Sequence, residues 1–483
     1  MKHRKKTIIL LLTMALTLFS SVVFSPPAVS EANSAPRETK GYDSSGVIVK
    51  TENSPIVVDK EDLTFHIYSA DRFIPVQEYV RRGTVTAEYT FRNPTNLIVE
   101  TRCLFPFGFV PYDESQTEAD KEYFKVKTNG KDLDKTIRHT YKADPFAKFD
   151  LEEDLRYFSD DFIADDTLST DLMVYEYVLD VKGANGKLPT YVKFSDNVKN
   201  LKYIVADNYV KYEKNGDLME LVAWQDGLKG GQLTLAFVGN DVSDVESKFS
   251  FFDDKWKSVG GSVVKGKKVE YNFKDYALKF RPAGSEVSDV DWYNATVAMI
   301  KSMMTTVIGV WKHSLSTHLF RWYDYTLTFA PEETLVNTVS APLYPSVNRN
   351  HVPPVYSYTY LLSPAAGWAD FNNLTIRIYT DMYLLRGETR KSVTNPDGSV
   401  TVTGETVDFL KDGGVYEARF EKLPDGDLTL FLCASENPER YNPSLGKVTK
   451  IIIILSTGIG LIVIGTIILV VTVKKQKTKG KKR

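Results

Sequence analysis

The sequence predicts a mainly β protein: two β-sandwich-like units, a mixed α/β middle region and one long helix, with a C-terminal transmembrane helix. Three observations predict it. Short runs alternating apolar and polar residues recur between Asn-Gly, Pro-Asp-Gly and Gly-Gly turns, the pattern of half-buried strands. Aromatic residues make up 12% of the chain, with 27 Tyr against 6 His, a bias towards pleated sheet. The run Ile451 to Val473 holds 23 residues without a charge. As a helix it spans roughly 34 Å, enough to cross a bilayer core of about 30 Å.

The two ends set an expected topology. Residues 1–34 read as a signal peptide: a basic start (Lys2, Arg4, Lys5, Lys6), an apolar centre from Thr7 to Phe24, and small residues beyond Pro26 and Pro27. An uncleaved signal-anchor would give the same topology. Seven of the ten residues 474–483 are basic, the mark of a cytoplasmic tail behind the span 451–473. Ser456 and Gly460 have the small-xxx-small spacing that supports helix pairing. The expectation is a single-pass protein of the cell membrane, ectodomain outside and C-terminus inside. The two ends hold eleven basic residues, leaving 49 basic against 62 acidic, a charge of about −13 on the exported part. That sign excludes nucleic acid as a partner, because phosphate binding needs the opposite one. Cationic partners, divalent ions and neutral sugars stay open.

Residues 46–141 form the first β unit. Val85, Ala87, Tyr89 and Phe91 alternate with polar neighbours, Asn93-Pro94-Thr95-Asn96 is turn chemistry, and Leu97 to Phe105 returns as a strand. Phe124 to Gly130 is a further strand ending in Asn-Gly, a strong hairpin signal.

A strand ending in Arg92-Asn93, a turn, a return ending in Phe105-Pro106, and F-x-V-x-x-N-G at 124–130 resemble the vault/inter-α-trypsin (VIT) type of β-sandwich. Membrane-anchored surface proteins of Gram-positive bacteria have a similar layout, including W-x-D-F-x-x-L-x-I-x-I, here Trp368 to Ile378. The resemblance implies a sandwich fold and an extracellular interaction role, and it brings no catalytic residues. The D-x-S-x-S signature of the metal-dependent adhesion domain that often follows such a module is absent from the sequence, so that function is not borrowed.

The middle, 142–287, opens on an acidic connector with nine carboxylates between Asp150 and Asp171. It contains no Gly and interleaves its acids with Leu, Phe and Ile, unlike a calcium loop, so a solvated amphipathic connector is expected. Strand-like runs follow, with turns at Asn215-Gly216 and Gly230-Gly231.

A long amphipathic helix is expected over 288–314. Ser288 and Asp291 suggest a capping box, and Val290, Tyr293, Val297, Ile300, Met304, Val307 and Trp311 recur at steps of three and four. Residues 319–443 read as the second β-sandwich-like unit, with hairpin turns at Asn395 to Gly398 and Pro424 to Gly426. Cys103 and Cys433 lie 330 residues apart and fit either a clamp between the two units or two small buried side chains.

No catalytic, cofactor-binding or metal-ligating residue emerges. His66, His139, His313, His318 and His351 form no H-E-x-x-H pattern, and neither a G-x-S-x-G elbow nor a Cys–His pairing is present. The one candidate contact surface is the Tyr/Pro tract. Tyr356, Tyr358 and Tyr360 share one face of a strand and Trp368 follows; exposed, that face is a binding ridge, and turned inward it is packing. The function this points to is a non-enzymatic surface interaction or scaffold protein, or an accessory subunit with an envelope protein as partner. The alternatives are an envelope carbohydrate hydrolase using paired carboxylates and a transmembrane sensor, the latter weakened by the ten-residue tail.

Overall fold

The computed structural model describes residues 53–68, 83–109, 125–143, 151–197, 202–206, 209–224, 231–302, 307–309, 318–394 and 399–441, with short pieces at 38–39, 44–45, 47–49 and 315–316. The expected signal peptide, membrane span and basic tail lie outside these residues. Among the described residues no helix is long and apolar enough to cross a membrane.

The molecule is mainly β, as its alternation predicts, and is built from several sheets. The expected two β units, 46–141 and 319–443, do not stand apart: their strands interleave. Val57–Ile67 pairs in parallel with Asp370–Thr380, so that Leu63 faces Ile376. Gly83–Arg92 runs antiparallel to Thr334–Leu343, with Ala87 opposite Val339. Val99–Phe109 lies against Leu319–Phe329, with Cys103 opposite Tyr325. The eight-stranded sheet made by the first two pairings covers one side of a single apolar core. Tyr358, Tyr360, Leu428, Leu430 and Leu432 of the seven-stranded sheet, and Cys103, Phe105, Tyr325 and Leu327 of a four-stranded one, fill the other side. Period-two alternation fixes which face of a strand is buried and says nothing of which strand pairs with it.

Two expected hairpins are corners instead. Asn93, fully buried, donates from Nδ2 to the carbonyls of Leu97 and Ala330, at 2.8 Å each, and accepts from the Thr95 amide. It thereby turns the chain from the eight-stranded sheet into the four-stranded one facing it. Likewise the turn ending at Gly426 (φ +103°) leads from Val415–Lys422 of the eight-stranded sheet to Asp427–Cys433 of the seven-stranded sheet. The hairpins at Asn129-Gly130 and Asn215-Gly216 form as expected. The strands flanking 395–398 also pair antiparallel.

The middle region is a sandwich of its own. A five-stranded sheet led by Gly261–Asn272 and Met173–Gly183 packs on a four-stranded sheet of Tyr209–Asn215, Leu218–Trp224, Tyr191–Asn197 and Phe249–Phe252. Tyr177, Leu179, Phe194, Leu221, Leu235 and Phe237 lie between them. Its other face, through Val174, Val205 and Val238, packs on the helices Phe273–Leu278 and Asp289–Ser302.

The long helix is shorter than its periodicity predicts. It ends at Ser302, and Val307 sits in a strand, Val307–Gly309, that joins the five-stranded sheet in parallel; Trp311 lies outside the described residues. Nor is it amphipathic in use, since every residue from Asp291 to Ile300 is buried. The physical reason is the acidic connector, which lays one side on the helix's polar face while Glu152, Glu153, Asp160, Asp161, Asp166 and Asp171 stay exposed, as expected of a solvated amphipathic segment. Asn294 accepts from the Ile163 amide at 2.9 Å and donates to the Asp161 carbonyl at 3.0 Å. The Tyr293 hydroxyl donates to the Leu168 carbonyl. Ser288 caps the helix by accepting from the Asp291 amide, while the Asp291 carboxylate turns away to Arg138 and the His139 amide. Cys103 and Cys433 are both buried and unbridged; the Cys433 thiol faces the Pro353 and Pro354 carbonyls at 3.5 Å.

Candidate functional site: an exposed aromatic platform

The ridge expected from the Tyr/Pro tract faces inward. Tyr358 and Tyr360 are buried in the main core, Tyr356 packs against it half-buried, and Trp368 is 5% exposed with its ring 4.4 Å from that of Phe91. Tyr360 belongs to a polar cluster sealed in that core. Its hydroxyl lies 3.3 Å from both the Tyr89 hydroxyl and the Glu61 carboxyl, and Tyr89 accepts from the Val47 amide. Burial pushes the Glu61 carboxyl up to about 7, against the pull of the two tyrosine hydroxyls.

Among the described residues the two exposed tryptophans, Trp224 and Trp256, both lie on the middle sandwich, while the exposed tyrosines Tyr68, Tyr379, Tyr383 and Tyr441 lie elsewhere in the molecule. In Tyr191–Asn197, Val192 and Phe194 point into its core, which leaves Tyr191, Lys193 and Ser195 on the outer face. In Leu218–Trp224, Met219, Leu221 and Ala223 point inward, which puts Glu220, Val222 and Trp224 on the outer face, where Val222 is itself covered and Trp224 exposed. Register places Trp224 and Phe252 on either side of Tyr191, so the three rings form a row across three strands. Lys193 and Glu220, paired at 2.5 Å, border it.

The loop after Phe252 completes the row. The Asp253 carboxylate accepts from the Lys255 and Lys257 amides, both at 2.9 Å, and the Trp256 amide donates to the Asp253 carbonyl. The Lys257 amide and then the Lys255 amide hold the Asp253 carboxyl below the usual carboxylate range, with burial opposing. This folds Trp256 back so that its ring stacks on Tyr191, centroids 4.4 Å apart and planes 10° from parallel. Trp256 takes a left-handed φ of +58° to do so. For a bulky residue that backbone costs about 1–3 kcal/mol, and the ring pair returns about 0.5–1.5 kcal/mol beyond its buried area. The result is a fixed aromatic surface in which Trp256 and Trp224 remain 48% and 44% exposed. The chemistry available is stacking and apolar contact with a flat or ring-shaped partner, flanked by lysine and carboxylate hydrogen bonding.

A second charged feature stands where connector, helix and main sheets meet. Arg138 donates to Asp291 at 2.8 Å and to Asp160 at 2.7 Å, and Arg102 pairs with Asp324 at 2.5 Å and Asp160 at 2.6 Å. Both guanidiniums lie over the Phe158 ring. The Arg102 guanidinium, then Arg138, holds the Asp160 carboxyl well below the ordinary range, against burial. Burial, followed by the Arg321 and Arg138 charges, holds His139 down to about 3, so its ring is neutral beside Asp291. Asp160, held down in this way, serves poorly as a proton donor, which needs a raised pKa. Glu61, whose carboxyl is raised, is buried at 1% exposure. Among the described residues no cluster of three or more His, Cys, Asp and Glu could hold a metal ion.

No protein-family model matches the chain, and no curated protein matches it. A crystal structure described as a putative nutrient binding protein from Legionella pneumophila aligns at 11% identity, over 82% of this chain and 72% of its own, with a TM-score of 0.29. A likeness of that degree carries no argument.

Proposed function

We propose that the protein is a non-catalytic binding or scaffold protein of the cell surface, anchored by one C-terminal membrane helix, and that the Tyr191–Trp224–Phe252–Trp256 platform is its contact surface. The observation that carries this reading is the left-handed, half-exposed Trp256 stacked on Tyr191. A backbone strained to hold a large apolar ring in solvent gains the fold little, and exposed Trp and Tyr are the side chains that dominate interface hot spots. The anchor rests on the apolar run 451–473 with its basic flank, and the outward orientation on the N-terminal signal pattern. The resemblance of the motifs at 92–106 and 124–130 to those of the VIT module supports an extracellular interaction role. The partner is an envelope protein, which would make this chain an accessory subunit, or a neutral surface polymer; the net negative ectodomain disfavours polyanions.

The test is crosslinking in intact native cells with wild type and with Trp224→Ala/Trp256→Ala. A species captured by wild type and lost in the double variant, at equal surface amount and unchanged melting temperature, supports the reading. Undiminished capture by the double variant would overturn it.

A further inference from the structure

Among the described residues five tyrosines are exposed, and four of them, Tyr68, Tyr379, Tyr383 and Tyr441, belong to one end of the sheets around the main core. Strand pairing puts them there. Val57–Ile67 and Asp370–Thr380 run in parallel and end together, with Thr380 opposite Ile67. The His66 ring stacks on Tyr379, centroids 4.8 Å apart, and lies 6.5 Å from the ring of Tyr68. The turn after Thr380 carries the chain into the seven-stranded sheet at Tyr383, whose row continues through Cys433 and Val355 to Asn348. Two residues further on, the Asn350 carbonyl accepts from the Tyr441 amide. Val352, exposed as well, pairs with Glu439 beside it.

The four rings are between 37% and 54% exposed. A tyrosine has an apolar body and a polar tip, the combination enriched where a membrane meets water. Charge at this end is mixed: Lys411, over the Tyr383 and Tyr416 rings, stands with exposed Asp381 and Asp412. What the end offers is therefore rings rather than a net charge. What it faces follows from the chain beyond it. Tyr441 is the last described residue, and nine residues separate it from the apolar run 451–473. Those ten steps reach no further than about 36 Å. With that run in a bilayer, the end bearing Tyr441 is held beside the membrane surface at an effective concentration on the order of mM, so contacts too weak to bind free lipid suffice. We propose that this end of the main β unit docks on the headgroup layer of the membrane that anchors the chain, with the tyrosine hydroxyls among the headgroups. The inference rests on the C-terminal anchor and is independent of the aromatic platform, which either can survive without the other.

The experiment places the full-length protein in phosphatidylcholine vesicles, washes them with alkaline carbonate, and reads lipid adducts by intact mass spectrometry after irradiation. A photoreactive side chain stands at position 68, at position 383 or, as control, at position 97. Leu97 is exposed at the opposite end of the same sheets, at the corner beyond Arg92. Lipid adducts are expected at 68 and 383 with only background at 97, in high salt as in low, because rings rather than charges make the contact. Protein that stays in the washed vesicles and gives no adduct at 68 and 383, or as much at 97, would overturn the docking and leave the anchor standing. Protein released by the wash would overturn the anchor and the docking with it.

Discussion

Glu61 shows how one residue ties local geometry to a measurable property. The pairing of Val57–Ile67 with its neighbour shifts register between Val58 and Lys60, leaving Asp59 and Lys60 outside and turning Glu61 into the core with Leu63 and Phe65. Its folded-state pKa of about 7 stands above the ordinary 4.5, so the folded protein binds a proton that the unfolded chain releases. Stability from this group is complete below about pH 4.5 and is lost as pH rises through about 7, by about 3 kcal/mol in total. Glu61→Gln keeps the shape and removes the titration. Its melting temperature should match wild type near pH 5 and exceed it at pH 8; parallel pH profiles for the two proteins would refute the assignment. The platform was also partly legible at this scale. Tyr191 shares strand parity with Lys193, and Trp224 with Glu220, which marks both aromatics as outward. Tyr358 and Tyr360 alternate with Ser357 and Thr359, a sign that their face is the inner one. The left-handed turn at Trp256 has no sequence signature, because Asn and Gly are the residues that announce such backbones.

At the scale of elements, the helix Asp289–Ser302 and the acidic connector form one unit. The periodicity of the helix was readable, and its apolar stripe does pack on the five-stranded sheet. What the pattern could not reveal is that Asp291, Asn294 and Thr296 are buried too: Asp291 is held by Arg138 on Thr136–Tyr141, Asn294 by the connector, and the Thr296 hydroxyl donates to the Trp292 carbonyl within the helix. Removing the Asp291 carboxylate leaves Arg138 less compensated and the His139 amide without its acceptor. Asp291→Ala should cost about 3 kcal/mol, whereas exposed Asp166→Ala should stay within about 0.5 kcal/mol. Chemical denaturation distinguishes them, and equal midpoints would show that the Asp291 contacts to Arg138 and the His139 amide contribute nothing to stability. Val297 is fully buried on the same helix. Val297→Asp places an unpaired charge in that core and should unfold the ectodomain; a soluble variant with unchanged melting would contradict this packing.

For the whole molecule, the consequence of interleaving is that neither 46–141 nor 319–443 can fold by itself. Each would lose the partner of a central strand and expose a long apolar edge. The fragment 46–141 expressed alone should show no cooperative thermal transition by circular dichroism, and a folded fragment would mean that the two halves are separable. Fold class was legible in the sequence because alternation and turn residues are local. Sheet partnership was not, since strands more than 200 residues apart pair through face complementarity that no local pattern records. The expected anchor, which would hold this assembly at the membrane, rests on the apolar run 451–473 alone.

The most direct measurement is site-specific photocrosslinking in intact cells, with a photoreactive side chain at position 256 and, as control, at Val402, which is 58% exposed on a strand of the main β unit. The account predicts a discrete adduct from position 256 and none from 402. No adduct from 256, or the same adducts from both positions, would contradict the assignment of the platform as the contact surface.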